Sequence, residues 1–212
     1  MKIAPSILSA DFLHLAKAVE IVDNNADLYH VDVMDGVFVP NISFGFPIVE
    51  ALSPVACKPM DVHLMITDPE RYALKFAQIK GVEMVSFHLD ACKDPGALLD
   101  ALRESGVKAG LAINPNIPVE SLFPYLERCD FIVLMSVYAG YGGQKFIEDS
   151  YGRLKSLKDA IAERGLATEV EIDGGVNAKN ARNLADAGAD ILVAGSFVFG
   201  SDDPAAAIAA IR

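Results

Sequence analysis

Three short apolar runs in this chain carry imidazoles and carboxylates in alternation with aliphatic residues. They read His30-Val31-Asp32-Val33-Met34-Asp35-Gly36, Asp61-Val62-His63-Leu64-Met65 and Glu169-Val170-Glu171-Ile172-Asp173-Gly174-Gly175. In an extended strand the side chains alternate between faces, so His30, Asp32 and Met34 share one face and Val31 and Val33 the other. Burying His and Asp together on one face is costly unless they find partners. A lone histidine of this kind is usually a satisfied core or rim residue. Two histidines and two aspartates at the ends of such runs point instead to a shared ligand. Together His30, Asp32, His63 and Asp173 offer nitrogen and carboxylate donors that suit one divalent cation: Zn(II), Fe(II), Mn(II) or Co(II).

A second chemical signal is glycine. Gly140-Tyr141-Gly142-Gly143-Gln144 follows one apolar run, Gly174-Gly175 ends another, and Gly195-Ser196 follows the last. Glycine lets backbone N–H groups approach an anion closely, and three such places at consecutive run ends predict a phosphate site. A single G-x-G-G loop would more often be a plain turn.

Groups this far apart in sequence need a scaffold that gathers strand ends. Strands are predicted at Lys2–Leu8, Leu28–Val33, Pro59–Leu64, Val82–Phe87, Val107–Ile113, Phe131–Met135, Glu169–Ile172 and Ile191–Ala194. Helices are predicted between them at Asp11–Asp23, Pro69–Lys80, Pro95–Glu104, Glu148–Arg164, Ala178–Ala187 and Pro204–Arg212, with weaker helical segments around Glu50 and Glu120. Continuous apolar strands such as Phe131-Ile132-Val133-Leu134 are buried on both faces, as in parallel sheets. Gly106 and Gly188 stand where a helix should stop and a strand begin. The pattern predicts an α/β protein, a single-domain (β/α)8 TIM barrel over residues 1–212, with its functional groups at the C-terminal strand ends. A doubly wound open sheet would favour a glycine-rich turn after the first strand, and Ser9-Ala10-Asp11 stands there instead.

Composition agrees and excludes other classes. The chain has 212 residues, 52% apolar and 22% charged, enough for one sizeable core. A net charge of −11 argues against nucleic-acid binding, which needs a basic face, but not against a small anion held by backbone amides. No apolar stretch is long enough to span a membrane. Met1-Lys2-Ile3-Ala4-Pro5 runs straight into patterned sequence without an apolar signal core, so a cytoplasmic location is expected. Cys57, Cys92 and Cys129 are scattered and predict reduced thiols.

The same strings resemble those of the ribulose-phosphate 3-epimerase family, in order and over essentially the whole chain. They are Ala4-Pro5-Ser6-Ile7-Leu8-Ser9-Ala10-Asp11, the run HVDVMDGVFVPN from His30 to Asn41, Asp61 to Met65, the loop at 140–144, Asp173-Gly174-Gly175 and Ala194-Gly195-Ser196. The resemblance implies metal ligation by His30, Asp32, His63 and Asp173, with Asp32 and Asp173 doubling as the acid–base pair. It implies substrate and phosphate contacts from Ser6, His63, Gly140, Tyr141, Gly142, Gly143, Gly174, Gly175, Gly195 and Ser196. It also implies that Met34, Met65 and Met135 line the site, although the sequence by itself favours ordinary core packing for them.

Inverting a carbon beside a ketone needs one group to take a proton from one face and another to return one to the opposite face. The expected activity is therefore metal-dependent epimerisation at C3 of a ketose phosphate, with Asp32 as base and Asp173 as donor in one direction. The leading substrate pair is D-ribulose 5-phosphate and D-xylulose 5-phosphate. A six-carbon substrate such as allulose 6-phosphate and a non-catalytic phosphate-binding barrel are the alternatives. A homo-oligomer is expected. Two departures from the family pattern stand out: Tyr138-Ala139 replaces Asn-Pro before the phosphate loop, and His88-Leu89-Asp90 replaces His-Ala-Glu. The first puts the choice of substrate in question.

Overall fold

Eight short strands alternate with helices along residues 1–212, all of which the computed structural model describes. The strands are β1 (Lys2–Ala4), β2 (Tyr29–Met34), β3 (Met60–Met65), β4 (Val82–His88), β5 (Lys108–Ile113), β6 (Phe131–Met135), β7 (Glu169–Asp173) and β8 (Ile191–Val193). The helices are α1 (Leu15–Asn25), α2 (Phe46–Leu52), α3 (Ala73–Ala77), α4 (Pro95–Glu104), α5 (Ser150–Glu163), α6 (Ala181–Asp186), α7 (Ser196–Phe199) and α8 (Pro204–Ala210). Every strand pair is parallel, in the order β1-β8-β7-β6-β5-β4-β3-β2. The ring closes between β1 and β2, where the N–H of His30 donates to Pro5 O at 3.1 Å and Asp27 and Leu28 donate to Ile3 O. This is the predicted (β/α)8 barrel.

Several boundaries differ from expectation for local reasons. β1 stops at Ala4 rather than Leu8 because Pro5 has no N–H for the ladder. The Ser6 hydroxyl then accepts from the N–H of Leu8 and starts a 3-10 turn at Ile7–Ser9. The first helix is likewise split into a 3-10 turn at Phe12–His14, capped by Asp11, and α1. The weak helical segment around Glu120 is a 3-10 run over Val119–Arg128 with Pro124 inside it, where a regular α-helix would need the missing donor. By contrast α4 has its predicted limits, with Asp94 capping the N–H of Ala97 and Gly106 at φ 94° after its end.

Side-chain alternation divides the apolar residues into two cores. Val31, Val33, Val62, Leu64, Val85, Leu111, Ile132, Leu134, Val170, Ile172 and Leu192 face outward into the layer beneath the helices. Ala4, Met84, Ala112, Phe131, Val133, Met135, Ile191 and Val193 fill the inside of the barrel. The inner packing leaves no slack: a Cβ placed on Gly110 would lie 2.5 Å from the Phe131 ring. Gly110→Ala is therefore expected to cost about 1–3 kcal/mol through overpacking. Urea unfolding would read this, and a change below about 0.5 kcal/mol would mean that Phe131 gives way freely. No helix of the fold is long and apolar enough to cross a membrane.

Candidate active site

Register, more than any single loop, assembles the polar end of the barrel. Asp32 pairs with His63 across β2 and β3, His30 with Asp61, and Met34 with Met65. On the other side Asp173 of β7 pairs with Met135 of β6 and with Val193 of β8. Because parallel partners project to the same side, His30, Asp32, His63 and Asp173 all enter the barrel interior near its C-terminal end.

The four meet at one point. His30 Nε2 lies 3.4 Å from Asp32 Oδ1 and 3.7 Å from Asp173 Oδ2. His63 Nδ1 lies 3.7 Å from Asp32 Oδ1 and 3.6 Å from Asp173 Oδ2. Most of these separations are too long for good hydrogen bonds, and both ring nitrogens are buried without a hydrogen-bond partner. They are the separations of ligands around a common centre: four donors about 2.1 Å from a tetrahedral ion stand roughly 3.4 Å apart. The residues thus fit a divalent cation, and the orphaned nitrogens are what such an ion would satisfy.

Beneath this cluster lies a second buried layer. Asp61 Oδ2 is 2.7 Å from His30 Nδ1, and Glu171 Oε1 is 3.2 Å from the same nitrogen. On the other flank His63 Nε2 is 3.0 Å from His88 Nε2. Burial disfavours charge on His30, but the Asp32 and Asp61 carboxylates outweigh it and hold its pKa well above the ordinary value. His63 behaves alike: burial lowers its pKa, yet Asp173 and Asp32 push it up to about 9. Burial likewise opposes charge on Asp32, and the His30 charge overrides it, keeping Asp32 ionised. For Glu171 burial, reinforced by the Asp61 charge, outweighs the opposing His30 and pushes its pKa up to about 8. Burial and the neighbouring His63 keep His88 neutral.

Above the cluster opens one cavity. Ser6, Asp32, Met34, Met65, Met135, Gly140, Tyr141, Gly142, Gly143, Asp173, Gly174, Gly175, Gly195 and Ser196 all line it. Among the predicted site residues, only His30 and His63 stand back, fully buried beneath it. The three methionines are buried in the core and also line this cavity. Gly142 and Gly195 approach the Ser9 hydroxyl so closely that a Cβ would lie 3.2 Å and 2.6 Å from it. The amides of Gly143, Gly175, Gly195 and Ser196 donate to no protein acceptor.

The phosphate-loop departure has a definite setting. The N–H of Ala139 donates to Asn114 Oδ1 at 3.0 Å, a bond that proline at this position could not make. Arg153 holds the same region from below, donating to the carbonyls of Met135, Asn114 and Ile117. Gln144 Nε2 closes the loop on the carbonyls of Tyr138 and Tyr141. The Tyr138 ring is half exposed at the cavity rim.

Sequence reasoning missed Asp61, Glu171, His88 and Ser9 as members of the site. The first two had a signal: period-two alternation puts Asp61 on the His63 face and Glu171 on the Asp173 face. For His88 and Ser9 the link is purely spatial.

Comparison with known proteins agrees with this architecture. A model of the ribulose-phosphate 3 epimerase family matches residues 2–199. A Mycobacterium tuberculosis (strain ATCC 25618 / H37Rv) protein named ribulose-phosphate 3-epimerase is 45% identical over 210 residues, covering 99% of this chain and 91% of that one. The Bacillus subtilis (strain 168) protein of the same name is 45% identical over 214 residues, covering 100% and 98%. The solved tryptophan synthase A-subunit of Pyrococcus furiosus superposes with a TM-score of 0.74 at 16% identity, covering 99% and 96%, which reflects the shared barrel alone. With a family model along nearly its whole length and relatives at this identity from end to end, the chain belongs to the ribulose-phosphate 3-epimerase family.

Proposed function

We propose that this protein epimerises a ketose phosphate at C3, interconverting D-ribulose 5-phosphate and D-xylulose 5-phosphate. The observation that carries the reading is the pair Asp32 and Asp173, two carboxylates from separate strands that line one cavity beside the histidine cluster. The relatives named ribulose-phosphate 3-epimerase, which match over the full chain, support it. Asp32, ionised in this cluster, takes the C3 proton from one face of the substrate. Asp173 gives a proton to the other face, and the roles exchange in the reverse direction. A divalent cation held by His30, Asp32, His63 and Asp173, whether Zn, Fe, Mn or Co, would stabilise negative charge developing on the substrate.

The amides of Gly143, Gly175, Gly195 and Ser196 bind the phosphate, and Met34, Met65 and Met135 keep water from the reacting carbon. Ser6 holds Asp32 by donating to its Oδ2. The three cysteines are free thiols, in keeping with a reducing, cytoplasmic setting. The exposed apolar side chains Phe12, Leu13, Val37 and Ile42 support a homo-oligomer. Assaying the purified, metal-supplied protein with ribulose 5-phosphate tests the proposal directly. Absence of xylulose 5-phosphate would sink it.

Tyr138 and Ala139 bear on whether a six-carbon substrate is preferred. The double variant Tyr138→Asn, Ala139→Pro removes the rim aromatic and the bond to Asn114. It should change the ratio of kcat/KM for ribulose 5-phosphate over allulose 6-phosphate by about tenfold, roughly 1.4 kcal/mol of differential transition-state binding. A ratio within about twofold of wild type would assign this departure no part in selecting the substrate.

A further inference from the structure

Each histidine of the cluster has a second ring nitrogen facing away from the cavity, and the two differ in which nitrogen that is. For His30 it is Nδ1, 2.7 Å from Asp61 Oδ2, with both side chains fully buried. A nitrogen at that distance from a carboxylate oxygen serves as its donor, so Nδ1 carries the hydrogen. Once a cation displaces the second proton, the neutral imidazole keeps only this one, which leaves Nε2 of His30 with a lone pair for the cation. His63 is turned the other way. Its Nε2 meets His88 Nε2 at 3.0 Å, and its Nδ1 faces Asp32 and Asp173. Two ring nitrogens at 3.0 Å share one hydrogen, which must belong to one of them.

The rings are packed in place around this contact. His63 and His88 have centroids 5.1 Å apart and planes 17° from parallel, and with their Nε2 atoms at 3.0 Å the rings meet edge to edge, nearly in one plane. Phe38 packs against the His88 ring with centroids 4.8 Å apart and planes tilted by 51°. The remaining nitrogen of His88, Nδ1, is buried without a hydrogen-bond partner and lies 3.9 Å from Asp90 Oδ1.

We infer that Asp61 and His88 are positioning residues that lock His30 and His63 in opposite tautomers. Asp61 accepts the Nδ1–H of His30, and His88 Nε2 accepts the Nε2–H of His63. Each outer partner thereby aims one lone pair, Nε2 of His30 and Nδ1 of His63, at the same point between the two aspartates. This assignment rests on the metal-binding reading above. Outer partners of metal-bound histidines act in this way generally, by fixing tautomer and ring orientation.

The chain has four histidines, so their rings can be resolved individually. Two-bond proton–nitrogen correlation spectra of the Zn-supplied protein should show His30 protonated at Nδ1 and His63 at Nε2. The same tautomer at both rings, or His88 protonated at Nε2, would overturn the inference. Zn2+ affinity, measured by chelator competition on variants whose fold is checked by circular dichroism, gives a second readout. His88→Phe, which removes the acceptor of His63, and Asp61→Leu, which leaves His30 only the more distant Glu171, should weaken binding about 10- to 100-fold. His88→Gln and Asp61→Asn, which keep an acceptor oxygen, should stay within about fivefold of wild type. A wild type that binds one Zn2+, with His88→Phe and Asp61→Leu within about twofold of it, removes the tautomer assignment alone. A wild type that takes up no Zn2+ removes the metal reading, and this inference falls with it.

Discussion

Asp173→Asn is expected to lower kcat for epimerisation by about 10²- to 10⁴-fold while leaving the fold and the cavity intact. The amide has nearly the shape of the carboxylate and keeps one oxygen that can act as a weak metal ligand. It cannot carry a proton between substrate and solvent, so one face of the substrate loses its acid. Asp32→Asn removes the partner on the other face and should cost a similar factor. Metal content measured beside activity separates the two functions of each aspartate. An Asp173→Asn protein with full metal content and kcat within about threefold of wild type would overturn the two-carboxylate mechanism. A second signature comes from the solvent. The returned proton comes from a different acid from the one that took the first, so product formed in D2O should carry deuterium at C3. Product without it would contradict the scheme.

His30→Ala or His63→Ala should weaken metal binding by more than about 100-fold, the upper end for losing only an outer partner, and activity should fall with it. Elemental analysis after dialysis checks the first point. Fully active protein without metal would defeat the whole assignment. The same histidines make binding depend on pH. Without metal, burial opposes charge on His63 but Asp173 and Asp32 push its pKa up to about 9, so an incoming cation must displace a proton. Apparent affinity should therefore rise with pH between 7 and 9, by about tenfold per unit for each proton released.

Stability of the metal-free protein should move the opposite way. A histidine whose pKa is raised on folding contributes stability that is fully present below about 6.5, its unfolded value, and lost as pH climbs through about 9. Glu171, pushed up to about 8 by burial, favours the folded state only while protonated and adds to the same loss. Chelator-treated protein should be less stable to urea at pH 9 than at pH 6.5. Equal stability at the two values would contradict these shifts.

The barrel and much of its site were legible in the residues themselves. Alternation in His30-Val31-Asp32-Val33-Met34 placed the imidazole, carboxylate and thioether on one face, because a strand's side chains repeat every second residue whatever surrounds it. Gly106 marked the end of α4 because a left-handed φ favours glycine in any fold. These are local properties, and local chemistry determines them. Boundaries near proline were less legible: β1 breaks at Pro5 and the segment around Pro124 tightens into a 3-10 run, where a missing donor competes with patterning that still looks regular.

What the tertiary structure alone decided is which nitrogen of each histidine faces the site and what stands behind it. Asp61 comes within hydrogen-bonding distance of His30 because β2 and β3 pair in a register that a one-residue slip would destroy. His88 reaches His63 from β4 across a register irregularity between Met60 and Asp61. Ser9, on the turn after β1, meets Gly142 and Gly195 only because the barrel closes and brings distant loops together. Register and closure depend on how volumes such as Phe131 against Gly110 fill the barrel. That is a sum over many distant contacts, which no window of sequence contains.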